Sequence, residues 1–153
     1  MKLTIIYPNV PFWRAEISRL ALFIGGIEFE DLRPSREEIT KMRTEGIFPF
    51  GQFPVLHVDG KTIAQTGAIA RFCGKLSGLY PTENDFYAAK VDEVIDLATD
   101  ITAKIRPSLI EKDTKKGWKC EENWQRQFSR TGCVSWRHYW MTMVKQGTLW
   151  ATH

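Results

Sequence analysis

The first third of the chain alternates between short apolar runs and one segment of helical periodicity. Lys2–Tyr7 is a β-branched apolar run and predicts a short buried strand. A helix is predicted from Arg14 to Gly25-Gly26, with an inner face formed by Ile17, Leu20, Ala21 and Ile24. The run Ile27–Leu32 predicts a second strand. This order predicts a right-handed βαβ unit.

The next segments predict a second, different unit. A polar helix is predicted for Arg36–Thr44, followed by a hairpin of Pro54–Val58 and Lys61–Ala64 that turns at Asp59-Gly60. A further helix is predicted for Gln65–Leu76, with an inner face of Ile69, Phe72, Cys73 and Leu76. The order βαβ then ββα predicts an α/β fold of thioredoxin-like plan, with a four-stranded mixed sheet and helices on both of its faces.

The pattern becomes purely helical after residue 84. A long amphipathic helix is predicted from Asp85 to about Ile110, stopped or kinked at Pro107. Its predicted inward-facing residues are Val91, Val94, Ile95, Ala98 and Ile101. We therefore expect a thioredoxin-like domain over residues 1–80 and the start of a truncated all-α C-terminal domain over residues 85–117. The segment 118–153 has no sustained apolar period.

Composition fits a globular chain, with 43% hydrophobic and 25% charged residues. The three cysteines show neither a disulfide framework nor the ligand spacing of a zinc site, so we expect no metal. The net charge of +3 comes from the segment 118–153, which leaves no basic face for nucleic acid. No apolar run is long enough to span a membrane, and the N-terminus is too short for a signal peptide, so we expect a cytoplasmic protein.

Three motifs and their order carry a resemblance to a known family. They are Arg14-Ala15-Glu16, the run Phe50-Gly51-Gln52-Phe53-Pro54-Val55-Leu56, and the run from Gln65-Thr66-Gly67 to Phe72; Tyr80-Pro81 and the acidic residues Asp92, Asp96 and Asp100 are also similar. Residues 1 to about 117 resemble the cytosolic glutathione transferases, and most of all their sigma-like group. The resemblance implies a thioredoxin-like fold, glutathione as co-substrate and a homodimer.

The resemblance also implies a role for individual residues. Pro54 would be a cis proline that exposes the backbone of Phe53 to the cysteinyl part of glutathione, and Gln52 would line the same pocket. Gln65 and Thr66, at a helix start, would hold the γ-glutamyl carboxylate. Arg14 would be a further glutathione contact, and Asp100 would reach the glutathione of the partner subunit.

Tyr7 is the candidate catalytic residue, because the family places a tyrosine at the end of its first strand to donate a hydrogen bond to the glutathione sulfur. A thiol with a pKa near 8.5 is mostly protonated at neutral pH, whereas the thiolate is the nucleophile. Tyr7 lies one residue further from Arg14 than the family pattern has it, and Trp13 stands where the usual glycine would be. An extra loop residue would absorb this offset.

Each of these residues also has a purely structural interpretation. Tyr7 could be a core aromatic at a strand end, and Arg14 a helix-start arginine that bonds only the protein. The pair Gln65-Thr66 could be no more than a helix N-cap. Lys41 and Arg43 could meet the glycyl carboxylate of the tripeptide, although a solvated helix face is the simpler interpretation.

The segment 118–153 does not continue the family pattern and holds five of the six tryptophans. Joining the third base of each codon to the first two of the next gives forced residues there, among them Leu-Leu-Asp-Asp from His138 to Thr142. At the remaining positions the shifted residue depends on which synonymous codon is used, and a choice of codons exists that gives a sequence like the family's helical domain. We therefore predict that residues from about Lys115 onward are translated out of frame, which would leave the electrophile pocket and the dimer face incomplete.

These features favour a glutathione transferase that conjugates the glutathione thiolate to small apolar electrophiles, with activity that depends on the missing helical half. Two alternatives use the same site: a non-catalytic glutathione-binding or interaction domain, and a glutathione-dependent isomerase of the prostaglandin synthase kind. A thioredoxin-type redox protein would need a cysteine near the start of the first helix, and residues 8–16 contain none.

Overall fold

The computed structural model describes residues 1–9 and 14–110, with side chains up to residue 104. The loop residues 10–13, which include Trp13, and the segment after residue 110, which includes the predicted out-of-frame tail, lie outside the described residues. The elements are β1 (Leu3–Ile6), α1 (Glu16–Ile24), β2 (Glu30–Leu32), α2 (Arg36–Thr44), β3 (Val55–Val58), β4 (Lys61–Ala64), α3 (Thr66–Leu76) and α4 (Asp85–Ile110). The chain divides into two compact units, of which the first is Met1–Thr99.

The four strands form one mixed sheet in the order β2-β1-β3-β4, as the sequence predicts. β1 is parallel to β2 and antiparallel to β3, and β3 is antiparallel to β4. The hairpin turns at Asp59 and Gly60, whose φ angles of 48° and 82° are those of a type I′ turn. The thioredoxin-like architecture is therefore confirmed.

Helices cover both faces of the sheet. On one face, β1 and β3 contribute Leu3, Ile5, Tyr7 and Leu56 to a core that α1 and α3 close, with Leu22, Ile69 and Cys73 from the two helices. On the other face, Ile6, Val55 and Phe48 form a smaller cluster against which Ile39 and Met42 of α2 pack. Because side chains alternate along a strand, β1 and β3 each contribute to both cores.

The inner face predicted for α1 is largely wrong. Ile17, Leu20 and Ile24 are 42%, 55% and 57% exposed, and Ala21 alone of that set is buried. The buried face is formed instead by Ala15, Ser18, Arg19, Ala21 and Leu22. The reason is that Arg19 donates to two carboxylates, that of Glu16 and, at 2.9 Å from Nε, that of Asp31 on β2. A charge paired in this way can be buried, and it rotates the helix away from its apolar side.

The bounds predicted for α2, α3 and α4 agree with the structure to within a residue. α2 begins with a capping box, in which Ser35 accepts from the Glu38 N–H and the Glu38 carboxylate accepts from the Ser35 N–H. α4 continues through Pro107 to Ile110 rather than stopping there. Of its predicted inner face, Ile95 is buried and Val91, Val94 and Ile101 are partly buried, whereas Ala98 is exposed.

None of the helices in the described part of the chain is both long enough and apolar enough to cross a bilayer. Of the second compact unit, the structure describes only the last turns of α4, from Asp100 to Ile110.

Candidate functional site

A small cleft opens between the loop before β3 and the start of α3. Its lining residues come from three separate parts of the sequence and are Arg14, Phe50, Gln52, Phe53, Pro54, Ala64, Gln65 and Thr66. Six of the predicted site residues are therefore brought together in one place. The sheet achieves this because the end of β4 pairs beside the start of β3, which sets Gln65 next to Pro54.

The loop before β3 has backbone groups beside the cleft without hydrogen bonds to the rest of the described chain. The Phe53–Pro54 peptide bond is cis, as the resemblance implies. Among the described residues Phe53 makes no main-chain hydrogen bond, although β3 begins only two residues later. Its ring makes T-shaped contacts with two other rings, that of Tyr7 at a centroid distance of 5.7 Å and that of Phe48 at 6.1 Å. The backbone of a ligand can therefore pair with a rigidly held Phe53.

The start of α3 is not capped by a side chain. Gln65 occupies the N-cap position with φ 75° and ψ 125°, and no side chain accepts a hydrogen bond from the first turn. Thr66 is already the first helical residue. Gln65 is thus the N-cap residue by position, but neither side chain of the Gln65-Thr66 pair caps the helix with a hydrogen bond. The free N–H groups of this turn and the positive end of the helix face the cleft, which is the arrangement that binds an anion.

Tyr7 lies beneath this cleft rather than in its wall. It is 3% exposed, belongs to the core of the sheet and makes a T-shaped contact with the Phe53 ring. Burial raises the pKa of the Tyr7 hydroxyl, while a hydrogen bond from the backbone N–H of Arg14 and the charges of Arg14 and Arg19 lower it. The net effect is a raised pKa, so the hydroxyl is protonated at neutral pH. Because its oxygen accepts from the Arg14 N–H, its own proton is left to donate elsewhere.

The comparisons with known proteins agree with this geometry. A family model for the glutathione S-transferase N-terminal domain matches residues 3–74. The chain is 38% identical over 112 residues to glutathione S-transferase 2 of Manduca sexta, covering 71% of this chain and 53% of that one. It is also 38% identical over 94 residues to glutathione S-transferase 2 of Caenorhabditis elegans, covering 60% and 47%. Residues 3–74 of this chain are a glutathione S-transferase N-terminal domain.

Solved structures extend the likeness to three dimensions. A prostaglandin synthase D of Nilaparvata lugens superposes with a TM-score of 0.77 and 29% identity, over 96% of this chain and 70% of that one. The chain spans about half the length of the curated relatives it matches. The matched half contains the cleft, since residues 14 and 50–66 all lie within the transferase N-terminal domain.

Arg14 contacts both the core and the cleft of this transferase domain. It lies in the turn before α1, its side chain is half-buried and lines the cleft, and its main-chain N–H bonds the Tyr7 hydroxyl. The structural and the functional interpretations of Arg14 are therefore compatible, because the main chain serves the core and the side chain faces the cleft.

One residue near the cleft was undervalued from sequence. The guanidinium of Arg43, on α2, lies over the Phe53 ring at 6.0 Å, whereas Lys41 is exposed and faces Glu45 at 3.8 Å. Lys41 and Arg43 are both exposed, as the solvated-face interpretation has it, and Arg43 in addition lies beside the Phe53 ring. The available signal was the pair Ile39 and Met42, which fixes the side of α2 that packs on the sheet and so places its neighbour Arg43 on the flank nearest Phe53.

Asp100 is exposed on α4 and belongs to the second compact unit. Its role toward a partner subunit stays a prediction. Within the described residues no group of three or more histidine, cysteine, aspartate or glutamate side chains is arranged to hold a metal ion.

Proposed function

We propose that the cleft binds glutathione and that the protein is a transferase, which joins the glutathione thiolate to a small apolar electrophile. The observation that carries the proposal is the meeting, in one cleft, of an uncapped helix start at Thr66 with the unpaired backbone of Phe53. A helix start takes an anion, and an unpaired extended backbone takes another backbone. A tripeptide with a free carboxylate at one end needs both.

In this arrangement the γ-glutamyl carboxylate lies at the first turn of α3, where the N–H groups, the Thr66 hydroxyl and Gln65 can donate to it. The cysteinyl part pairs with Phe53, which points its thiol toward Tyr7 below the cleft. Gln52 and Arg14 line the remaining wall. Arg43, whose guanidinium lies 6.0 Å from the centre of the Phe53 ring, is a nearby cation for the glycyl carboxylate of the tripeptide.

The chemistry follows from the protonated state of Tyr7. Its O–H donates to the sulfur and favours the thiolate over the thiol. The thiolate attacks an electrophilic carbon, an S–C bond forms, and for an aryl halide the halide departs with the bonding electrons. The described residues supply the glutathione half of this reaction. The family's helical half would supply the pocket for the electrophile.

A glutathione-dependent isomerase is the second candidate function. It is favoured by the similarity to a prostaglandin synthase D, which covers nearly the whole of this chain. The two functions need the same bound thiolate and differ in the second substrate. We further propose a cytoplasmic location and a homodimeric parent protein, in keeping with the resemblance of the sequence to cytosolic transferases.

The proposal is tested by retention of the purified chain on immobilised glutathione, measured beside conjugation of a generic aryl halide. Retention with turnover supports the transferase, and retention without turnover supports a glutathione-binding module. Loss of both would contradict the proposal. The matched variant is Thr66→Val, which keeps the shape of the side chain but removes its hydroxyl, and we expect it to elute at a lower concentration of free glutathione.

A further inference from the structure

Arg71, on the second turn of α3, connects that helix to α4 through two carboxylates. Its Nε donates to Asp92 Oδ1 at 2.6 Å, and its Nη2 donates to Asp96 Oδ1 at 2.8 Å. Asp92 also accepts from the Tyr80 hydroxyl at 3.0 Å. The arginine side chain is 29% exposed, so it is held within the contact between the two helices rather than on their surface. Its planar fork is thereby fixed in orientation.

The same guanidinium also packs on the first turn of α3. A Cβ atom added at Gly67 would lie 3.0 Å from Arg71 Nη1 and 3.2 Å from Ile95 Cγ2. Both distances are shorter than ordinary contacts, so a side chain at position 67 would require Arg71 and the buried Ile95 to move by a few tenths of an ångström. Gly67 follows directly after Thr66, the first helical residue, which lines the cleft.

We propose that Arg71 is a positioning residue for ligand binding, which sets the orientation of the uncapped first turn of α3. This inference rests on the proposed function, because the ligand concerned is the carboxylate of glutathione. With Gln65 making no cap and Thr66 turned to the cleft, the turn lacks the side-chain bonds that normally fix a helix start. The packing of Arg71 and Ile95 against Gly67 fixes the orientation of the turn instead of such hydrogen bonds.

Geometry rather than charge is the source of this effect. Arg71 is opposed by two carboxylates, and Lys75 adds a second cation over the Tyr80 ring at 5.1 Å, so the cluster has no net charge to attract a ligand. A lysine at position 71 would keep the charge, but its single ammonium has no planar fork to bridge Asp92 and Asp96 while lying flat on Gly67.

The test compares Arg71→Lys with the matched control Lys75→Met, which removes a cation from the same helix and cluster without touching Gly67. We expect Arg71→Lys to raise the Kd for glutathione about tenfold, because small misplacements of binding groups weaken binding strongly. We expect Lys75→Met to change the Kd by less than about twofold. The pKa of the bound glutathione thiol, followed by thiolate absorbance against pH, should be the same in wild type and Arg71→Lys, since Tyr7 is untouched.

A second measurement separates this inference from the proposed function. The backbone amide signals of Thr66 and Gly67 in the ligand-free protein should shift in Arg71→Lys and stay in place in Lys75→Met. If wild type binds no glutathione, the proposed function fails, and the amide signals alone decide whether Arg71 orients the turn. An unchanged Kd and unchanged amides in Arg71→Lys, or equal losses in both variants, would overturn the inference. Should Arg71→Lys fail to fold, Asp96→Asn removes one arm of the contact at an exposed carboxylate.

Discussion

At the scale of single residues, Tyr7 shows how one side chain serves both core and site. Its ring fills the interior beside Leu3 and Ile5, and it makes a T-shaped contact with Phe53 in the cleft wall. The core-aromatic interpretation from sequence and the catalytic one are thus both consistent with the structure. What the sequence could not give was the partner of the hydroxyl, because the Arg14 main chain arrives there through the fold of the loop and not through spacing.

Replacement of Tyr7 by phenylalanine tests its role in the reaction. Tyr7→Phe keeps the ring and removes the hydrogen bond to the sulfur, and a hydrogen bond to a charged group is worth about 1.5–3 kcal/mol. We expect the pKa of the bound thiol to rise and turnover at neutral pH to fall about 10- to 100-fold, with the Kd for glutathione unchanged. Thr66→Val should instead raise the Kd for glutathione and leave the pKa of the bound thiol unchanged. Equal thiol pKa values in Tyr7→Phe and wild type would exclude Tyr7 as the sulfur's partner.

The burial of Cys73 makes the stability of the protein depend on pH. It is fully buried on α3, and burial raises the pKa of its thiol to about 11. In the unfolded chain the thiol has its ordinary pKa near 8.5. The folded state therefore binds the proton more tightly, and this contribution to stability is complete below about pH 8.5 and is lost as the pH rises toward 11.

Urea unfolding at a series of pH values checks this linkage. The free energy of unfolding should fall by up to about 3 kcal/mol between pH 8.5 and 11 on account of Cys73, at about 1.4 kcal/mol per pH unit. Cys73→Ala has no thiol and should show a shallower fall, although it is less stable at neutral pH because it leaves a small cavity. Parallel curves for the two proteins would show that the Cys73 thiol does not couple to folding.

At the scale of elements, α1 shows the limit of periodicity. The apolar spacing of Ile17, Leu20 and Ile24 predicts a helix correctly but selects the wrong face, because it cannot register the carboxylate of Asp31 on another strand. The bounds of α2, the hairpin and α3 could be predicted because their signals are local: a capping box, an Asp-Gly turn and a terminal Ser-Gly. Long-range ion pairs leave no such local signal.

The buried pair of Arg19 offers a quantitative check at this scale. Arg19→Met keeps the aliphatic length of the side chain but leaves Glu16 and Asp31 without their common partner. Removing one member of a buried ion pair costs about 3–5 kcal/mol. Because Glu16 and Asp31 are partly exposed, we expect the free energy of unfolding to drop by somewhat less, about 2–4 kcal/mol. Lys2→Met is the control, since Lys2 and Glu30 are exposed and 3.8 Å apart, and it should cost less than about 1 kcal/mol. Similar losses in both variants would show that α1 is not held to β2 through Arg19.

At the scale of the whole molecule, the cleft is assembled from the loop before α1, the loop before β3 and the start of α3. The motifs of these segments could be recognised in the sequence, but their meeting depends on the mixed sheet that sets β4 beside β3 and β3 beside β1. The contact of Arg43 with Phe53 depends on the fold in the same way. The spacing of Ile39 and Met42 indicates which side of α2 packs on the sheet, but Phe53 lies on a different segment, and only the fold brings it beside Arg43.

The out-of-frame origin of residues 118–153 stays a prediction at this scale, and the coding DNA decides it. We expect the nucleotide sequence from Asp113 to Trp124 to show a gained or lost base, after which the shifted frame runs open through Ala151 and encodes the family's helical sequence. A stop codon in the shifted frame before Ala151 would end the hypothesis.

The sheet also determines when the cleft can first exist during synthesis. β1 lies at the very start of the chain, yet its antiparallel neighbour is β3, with Leu3 opposite Val58. A ribosome adding about 5–20 residues per second needs about 3 to 11 seconds to make the residues that separate these partners. Throughout that interval the apolar β1 has only β2 available as a neighbour strand, and Gln65 and Thr66 do not yet exist. Each newly made chain must therefore carry an unshielded N-terminal strand for some seconds before it can hold its ligand.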